Sequence, residues 1–118
     1  MRRLRLFDYV QDAVEYSTGV KDIKKDTRQR QYVDARRIAY HILRETHGLT
    51  LRVISTEFDR THASILHGIN SVDFLLKSDA DFKNKYNNTV KHLSKGEFRK
   101  EIILKTIKDL QEEFLTLI

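Results

Sequence analysis

The chain contains no proline and only four glycines, and its apolar residues recur at spacings of three and four along most of its length. Such spacing places apolar side chains on one face of an α-helix, whereas a half-buried strand would show strict alternation. Gly19, Gly48 and Gly96 fall between the periodic segments, where helices end. No stretch alternates convincingly, so the sequence predicts an all-α fold.

The length of 118 residues suits one small domain, and a hydrophobic fraction of 40% is enough for a core. Cysteine is absent, which excludes disulfides, cysteine-ligated zinc and thiol catalysis. No apolar run approaches the roughly 20 residues of a membrane span, and the basic start develops no signal-peptide core. We therefore expect a cytoplasmic protein.

Positive charge is concentrated in the first half of the chain. Lys and Arg together number 22 against 17 Asp and Glu, a net charge of +5, and residues 1–60 hold 13 basic and 9 acidic side chains. The basic residues of that half are mostly arginine, whose forked guanidinium binds phosphates and base edges. An anionic polymer is a reasonable partner, although an ordinary basic surface would look the same.

Helices are predicted at Leu4–Tyr16, Tyr32–Thr46, Leu51–Phe58, His62–Lys77 and Ser78–Leu93, with a last helix from Lys95 to the C-terminus. Thr50 and Thr61 are suited to cap the two helices that follow them. Gly48 is suited to close the second helix with a positive φ. Between the first two helices, Val20–Lys25 reads as a turn and Asp26–Gln31 as an exposed basic loop.

Apolar spacing assigns the faces of these helices. In the second, Ile38, Ala39, Ile42 and Leu43 form the buried stripe, which puts arginines at its edges or outer face: Arg36, Arg37 and Arg44. In the fourth, the buried stripe comprises Ile65, Leu66, Ile69, Val72, Leu75 and Leu76.

A short helix and a longer one, joined by a tight turn at Asp59 and Arg60, make a helix-turn-helix candidate. Thr61, His62, Ala63 and Ser64 then stand at the start of the longer helix, off its apolar stripe. Hydroxyls, a methyl group and an imidazole are side-chain groups that read base edges. A plain capped helix start would use the same Thr and Ser.

Signals for catalysis are weak. The sequence contains no phosphate-binding glycine loop and no serine-nucleophile motif. The close carboxylate pairs, Asp79 with Asp81 and Glu112 with Glu113, read as solvated surface. His62 and His67 are spaced so that they do not share a helix face, which disfavours a metal site. We expect no enzyme activity, no cofactor, no metal and no small-molecule substrate.

The segment Arg60-Thr61-His62-Ala63-Ser64-Ile65-Leu66-His67 resembles the C-terminal DNA-binding domain of the bacterial replication initiator DnaA. That family reads Gly-Arg-Asp-His, then two hydroxyl residues and Val-Leu-His. Upstream, two further segments resemble the family. Its long helix is matched by Arg36-x-x-Ala39-x-x-x-Leu43-Arg44, and the first helix of its helix-turn-helix is matched by Thr50-Leu51-Arg52-Val53-Ile54-x-x-x-Phe58. The likeness covers about residues 6–93.

The resemblance implies a helix-turn-helix bundle similar to that of Trp repressor, which binds an A·T-rich duplex box and acts in replication control or transcriptional regulation. By position, base-facing residues would be Thr61, His62, Ala63 and Ser64, with His67 one turn further on. Arg28 or Arg30 would enter the minor groove. Phosphate contacts would come from Arg36, Arg37, Arg44, Thr50, Arg52 and Arg60. The protein would then be associated with the nucleoid.

The sequence departs from the family at several of these positions. Thr61 stands where the family has Asp, and Ala63 stands where the family has its first hydroxyl residue. Each of these two replacements is expected to remove one polar contact with a base. The turn at Asp59-Arg60 is one residue shorter, and Arg52 replaces a proline. We expect phosphate docking to persist while the preferred box differs. The ATPase module is absent, which suggests a stand-alone relative from a phage, plasmid or other mobile element.

Beyond the resemblance, we assign residues 1–93 to the DNA-binding domain and 94–118 to a C-terminal extension. Its apolar residues alternate by four and three as a short seam: Ile103, Ile107, Leu110, Phe114 and Leu117. This seam suits either packing onto the first helix or a homodimer. An alternative function follows from it, namely a protein-interaction adaptor or decoy of the initiator that acts through this helix.

Overall fold

The computed structural model describes residues 5–94, and within that range every regular element is a helix. The elements are α1 (Leu6–Thr18), α2 (Arg30–His41), a π-helical turn (Ile42–Thr46), α3 (Leu51–Phe58), α4 (His62–Ser78) and α5 (residues 80–94). The prediction of an all-α helix-turn-helix fold is confirmed. The predicted last helix, the seam at Ile103–Leu117 and the homodimer lie outside the described residues.

Two threonine caps fix the helix-turn-helix as predicted. The Thr50 hydroxyl accepts a hydrogen bond from Val53 N (3.2 Å), and the Thr61 hydroxyl accepts one from Ser64 N (3.1 Å). Each cap satisfies a backbone donor that the first helical turn cannot pair internally. Between the helices, Asp59 adopts the left-handed conformation at φ 52°, which closes α3 within two residues.

Other boundaries differ from the prediction. Helix α1 runs from Leu6 to Thr18, two residues later than expected, because Gly19 at φ 73° ends it. Helix α2 begins at Arg30, so Arg30 and Gln31 are helical and not part of the loop. The last turn of the second helix is π-helical, and Gly48 follows at φ 66°, which confirms its predicted positive φ.

The junction of α4 and α5 also departs from the prediction. Ser78 is the last residue of α4, and its hydroxyl donates to Phe74 O (2.7 Å). The cap of α5 is Asp79, whose Oδ1 accepts from Phe82 N (3.1 Å). Ser and Asp are both good caps, and periodicity alone does not choose between neighbours.

The core is centred on α2, which packs mainly against α4 and α1. Buried residues from all five α-helices contribute to it, and the ring of Tyr40 packs edge-on against Phe58 of α3, with 4.9 Å between centroids. Gly68 allows α4 to approach this ring, since a Cβ at that position would lie 3.1 Å from Tyr40 Cδ2. Leu66, predicted in the buried stripe, is 44% exposed because it lies to one side of the face of α4 that carries Ile65, Ile69 and Val72.

An ion cluster ties the segment between α1 and α2 to α3. The Glu57 carboxylate accepts from Lys24 Nζ (2.6 Å) and from the Arg5 guanidinium. Burial raises the pKa of Glu57, but the hydrogen bonds from Lys24 and Arg5 outweigh it, so the pKa lies below its ordinary value. No sequence motif reveals this cluster, because its members are far apart in the chain.

Replacement of Gly68 by Val should destabilise the protein by about 2 kcal/mol, because the branched side chain overpacks the Tyr40 ring. The melting temperature of Gly68→Val should fall by roughly 10 °C in thermal unfolding. Asn70→Val, at an exposed position of the same helix, is the matched control and should change it little. A Gly68→Val variant as stable as its parent would contradict the close approach.

Replacement of Glu57 by Gln should lower stability near neutral pH and matter less in acid. A carboxylate whose folded pKa is depressed stabilises the fold above its ordinary pKa, and this stability is lost as pH falls through the folded value. Thermal unfolding at about pH 7 and about pH 3 should therefore give curves that converge in acid. Asp12→Asn, which removes an exposed carboxylate of α1, is the control. A constant difference across this range would contradict the ion cluster.

Candidate nucleic-acid interface

The start of α4 presents a short run of polar and small side chains to solvent. Thr61, His62, Ala63 and Ser64 are all exposed, and His67 is exposed one turn further on. The Thr61 hydroxyl oxygen serves as the helix cap, yet its own proton stays free to donate. The two readings of this segment from sequence, a capped helix start and a base-reading surface, are therefore compatible.

The loop before α2 is held in place by a buried arginine. Arg36 NH1 donates to Ile23 O (3.3 Å) and Lys25 O (2.9 Å), and its NH2 donates to Thr27 O (2.6 Å). Arg36 is only 7% exposed, so its predicted position at an edge or outer face of α2 is wrong. Its long side chain reaches back along the helix, and the loop carbonyls take the donors that a phosphate would need.

The two candidate minor-groove arginines, one in the loop and one at the start of α2, differ in their partners. Arg30 NH2 pairs with Asp79 Oδ2 (2.6 Å), and its Nε lies 3.4 Å from Asp34 Oδ2. Arg28 is exposed and makes no hydrogen bond or ion pair within residues 5–94. Of the two arginines, Arg28 is therefore the one whose guanidinium is free for a ligand.

The remaining predicted phosphate contacts lie around the helix-turn-helix. Arg37 pairs with Asp34 Oδ1 (3.1 Å), Arg44 NH1 donates to Leu49 O (2.9 Å), and Arg60 NH2 donates to Lys25 O (3.3 Å). Thr50 and Arg52 are exposed at the start of α3. The N-termini of α3 and α4 add unpaired backbone N–H groups, which favour nearby anions.

A cleft of about 300 Å³ brings the loop and α4 together. We call it the arginine cleft, because four guanidinium groups border it. It is lined by Asp26, Thr27, Arg28, Val33, Arg36, Arg37, Tyr40, Arg60, Ser64, His67 and Gly68. Tyr40 is not among the site residues predicted from the sequence, because a tyrosine on the apolar face of a helix indicates only a core position.

Neither a metal-binding set nor a membrane-spanning helix is found in the described part of the chain. No set of three or more His, Asp or Glu residues there could hold a metal ion. None of the helices in residues 5–94 is both long enough and apolar enough to cross a membrane.

Comparison with known proteins identifies the family of the chain. Residues 7–72, more than half of the chain, match the family model described as the bacterial dnaA protein helix-turn-helix. The chain is similar to the chromosomal replication initiator protein DnaA of Lachnoclostridium phytofermentans, at 30% identity over 80 residues that make up 67% of this chain and 18% of that protein.

Two further relatives carry the same name. The chromosomal replication initiator protein DnaA of Flavobacterium psychrophilum is 31% identical over 90 residues, which are 74% of this chain and 19% of that protein. The protein of that name from Aquifex aeolicus is 34% identical over 70 residues, which are 58% and 18% of the respective chains. The chain therefore spans about a fifth of the length of these relatives.

Proposed function

The chain belongs to the bacterial DnaA helix-turn-helix family, and we propose that it binds double-stranded DNA in a sequence-specific manner. In this proposal α4 enters the major groove and Arg28 enters the adjacent minor groove. The observation that carries it is the arginine cleft, at which Arg28, which has no partner within residues 5–94, meets the exposed Ser64 and His67 of α4. The biological setting we propose is replication control or transcriptional regulation.

The base-reading surface is the first two turns of α4. His62, Ala63 and Ser64 are exposed there together, and a helix of this width fits a major groove. An imidazole and hydroxyls can hydrogen-bond base edges, while the Ala63 methyl can contact a thymine methyl. Since Thr61 and Ala63 replace polar family residues, we propose a preferred box that differs from the family's.

The minor-groove residue is Arg28 and not Arg30. A free guanidinium is attracted to the strong negative potential of a narrow A·T-rich minor groove. Arg30 would first have to leave Asp34 of its own helix and Asp79, and the contact with Asp79 anchors α2 to the junction of α4 and α5. We propose that Arg30 keeps these contacts.

Phosphate docking is proposed for exposed and half-buried groups around α4. Arg52 and Thr50 at the start of α3, Arg44 beside them and Arg37 beside the cleft supply the donors. Arg36 is left out of this set, because its donors hold the loop. Its contribution is to present Arg28.

Replacement of Arg28 by Ala should weaken duplex binding about tenfold, whereas Arg30→Ala should weaken it less. Binding is measured by fluorescence anisotropy on a duplex with the family's A·T-rich box and on a scrambled one, across a salt series. The affinity should fall with salt with a slope of about −0.9 per phosphate contact. Lys91→Gln, which removes a charge beside Tyr16 and away from the cleft, is the control. A larger loss for Arg30→Ala would contradict the assignment.

Replacement of His62 by Ala should reduce discrimination between sequences and leave the affinity for scrambled DNA nearly unchanged. A lost base contact costs about 1–3 kcal/mol of discrimination. If the parent binds the duplex with the family box and the scrambled duplex equally well, the preferred sequence is first selected from random duplexes. The selected duplex then takes the place of the family box in this measurement. Equal preferences in His62→Ala and the parent on the selected duplex would exclude His62 from base reading.

A further inference from the structure

The arginine cleft contains one acidic side chain. Asp26 is the only acid among the residues that line it within positions 5–94, and four of the others are arginines. The Asp26 side chain is fully exposed, and its ion-pair contact among the described residues is with Arg60 NH1, 3.9 Å away. Its carboxylate accepts no hydrogen bond from that part of the chain. The acceptor capacity of this carboxylate is therefore unused by the protein.

The backbone on both sides of Asp26 is held in place. The carbonyls of its two neighbours, Lys25 and Thr27, accept hydrogen bonds from the buried guanidinium of Arg36, at 2.9 Å and 2.6 Å. The loop cannot carry the Asp26 carboxylate away from an approaching duplex unless these bonds break. Any ligand that enters the cleft therefore meets a fixed negative charge at its edge.

In the proposed complex this charge lies beside DNA phosphates. The cleft separates the loop that carries Arg28 from the start of α4. If these two elements enter neighbouring grooves, one sugar–phosphate strand passes between them, because such a strand separates every major groove from the next minor groove. Two like charges about 4 Å apart in water repel enough to lower affinity about fivefold. This penalty applies to every base sequence, since all sequences carry the same phosphates.

The chemistry of the minor groove indicates where the penalty is offset. An ionised carboxylate only accepts hydrogen bonds. A·T pairs present only acceptors in the minor groove, whereas a G·C pair adds one donor, the guanine N2 amino group. Asp26 precedes Arg28 by two residues in the loop that reaches this groove. A carboxylate there is repelled by A·T edges and matches a guanine amino group.

We propose that Asp26 is a specificity-determining residue of the loop. It opposes docking on any duplex, and this cost is offset where its carboxylate accepts a hydrogen bond from guanine N2 beside the A·T pairs that Arg28 contacts. This inference rests on the proposed function. An unfavourable contact that only the correct partner relieves is a general source of specificity. The preferred box then contains a G·C pair next to its A·T stretch.

The first test isolates the charge. Asp26→Asn removes the charge and keeps one acceptor oxygen, so it should raise the affinity for a scrambled duplex about fivefold in fluorescence anisotropy. Asp12→Asn, which removes an exposed carboxylate of α1 outside the cleft, is the matched control and should change this affinity less than about twofold. The melting temperature of both variants should equal that of the parent, because an exposed ion pair contributes little to stability. Equal affinities of the two variants for scrambled DNA would overturn the proposal.

The second test isolates the guanine amino group. The parent selects its preferred duplex from random sequences, and each guanine of that duplex is then replaced in turn by inosine, which lacks the N2 amino group. At one position, inosine should weaken the parent about tenfold and leave the affinity of Asp26→Ala unchanged. Equal losses in both proteins at every guanine would overturn the guanine contact, and so would a selected duplex without a G·C pair beside its A·T stretch.

Failure of the Asp26 contact is distinguishable from failure of the proposed function. A parent that binds no duplex at low salt overturns the proposed function, and the Asp26 contact with it. A parent that prefers its selected duplex over the scrambled one, with the same preference in Asp26→Ala, overturns the role of Asp26 alone.

Discussion

The close approach of α2 and α4 at Tyr40 and Gly68 is the constraint on which the rest of the structure depends. Helix α2 packs more extensively on α4 than on α1, α3 or the π-helical turn. A glycine at position 68 leaves room for the Tyr40 ring, and the same ring contacts Phe58 of α3. One aromatic side chain thus sets the positions of both helices of the helix-turn-helix, and with them the orientation of the exposed surface of α4.

The charged groups divide into those that build the scaffold and those left for a ligand. Arg36, Lys24 and Arg30 are committed to carbonyls or carboxylates of the chain, and each joins α2 or the preceding loop to another part of the fold. Arg28 and Arg52 have no such partner within residues 5–94. Net charge does not distinguish these groups, because an arginine contributes equally whether it is paired or free.

The helix-turn-helix was predictable from the sequence almost to the residue. Helix α3 has the predicted bounds and α4 the predicted start, because threonine caps and apolar spacing act locally and agree with each other. The exposed run from Thr61 to Ser64 follows from the same spacing. The family resemblance was likewise visible in motifs of this region, and the family match confirms it.

What the sequence could not show depends on contacts between distant residues. Arg36 can be buried because three loop carbonyls accept hydrogen bonds from its guanidinium. Apolar periodicity does not reveal such contacts and assigns every arginine to the surface. The choice of Arg28 over Arg30 depends on Asp79, which is distant in the chain. The exposure of Leu66 shows that an apolar residue beside a stripe need not belong to it.

The anchoring of the loop by Arg36 has a consequence for what a duplex must satisfy. Because three carbonyls of the loop are bonded to one side chain of α2, the distance from Arg28 to the start of α4 is fixed by the protein and not by the DNA. In the proposed complex, this fixed distance sets how far apart the two contacted grooves must lie across one backbone strand. A duplex whose local twist or groove width does not match would be rejected even if every base pair were correct.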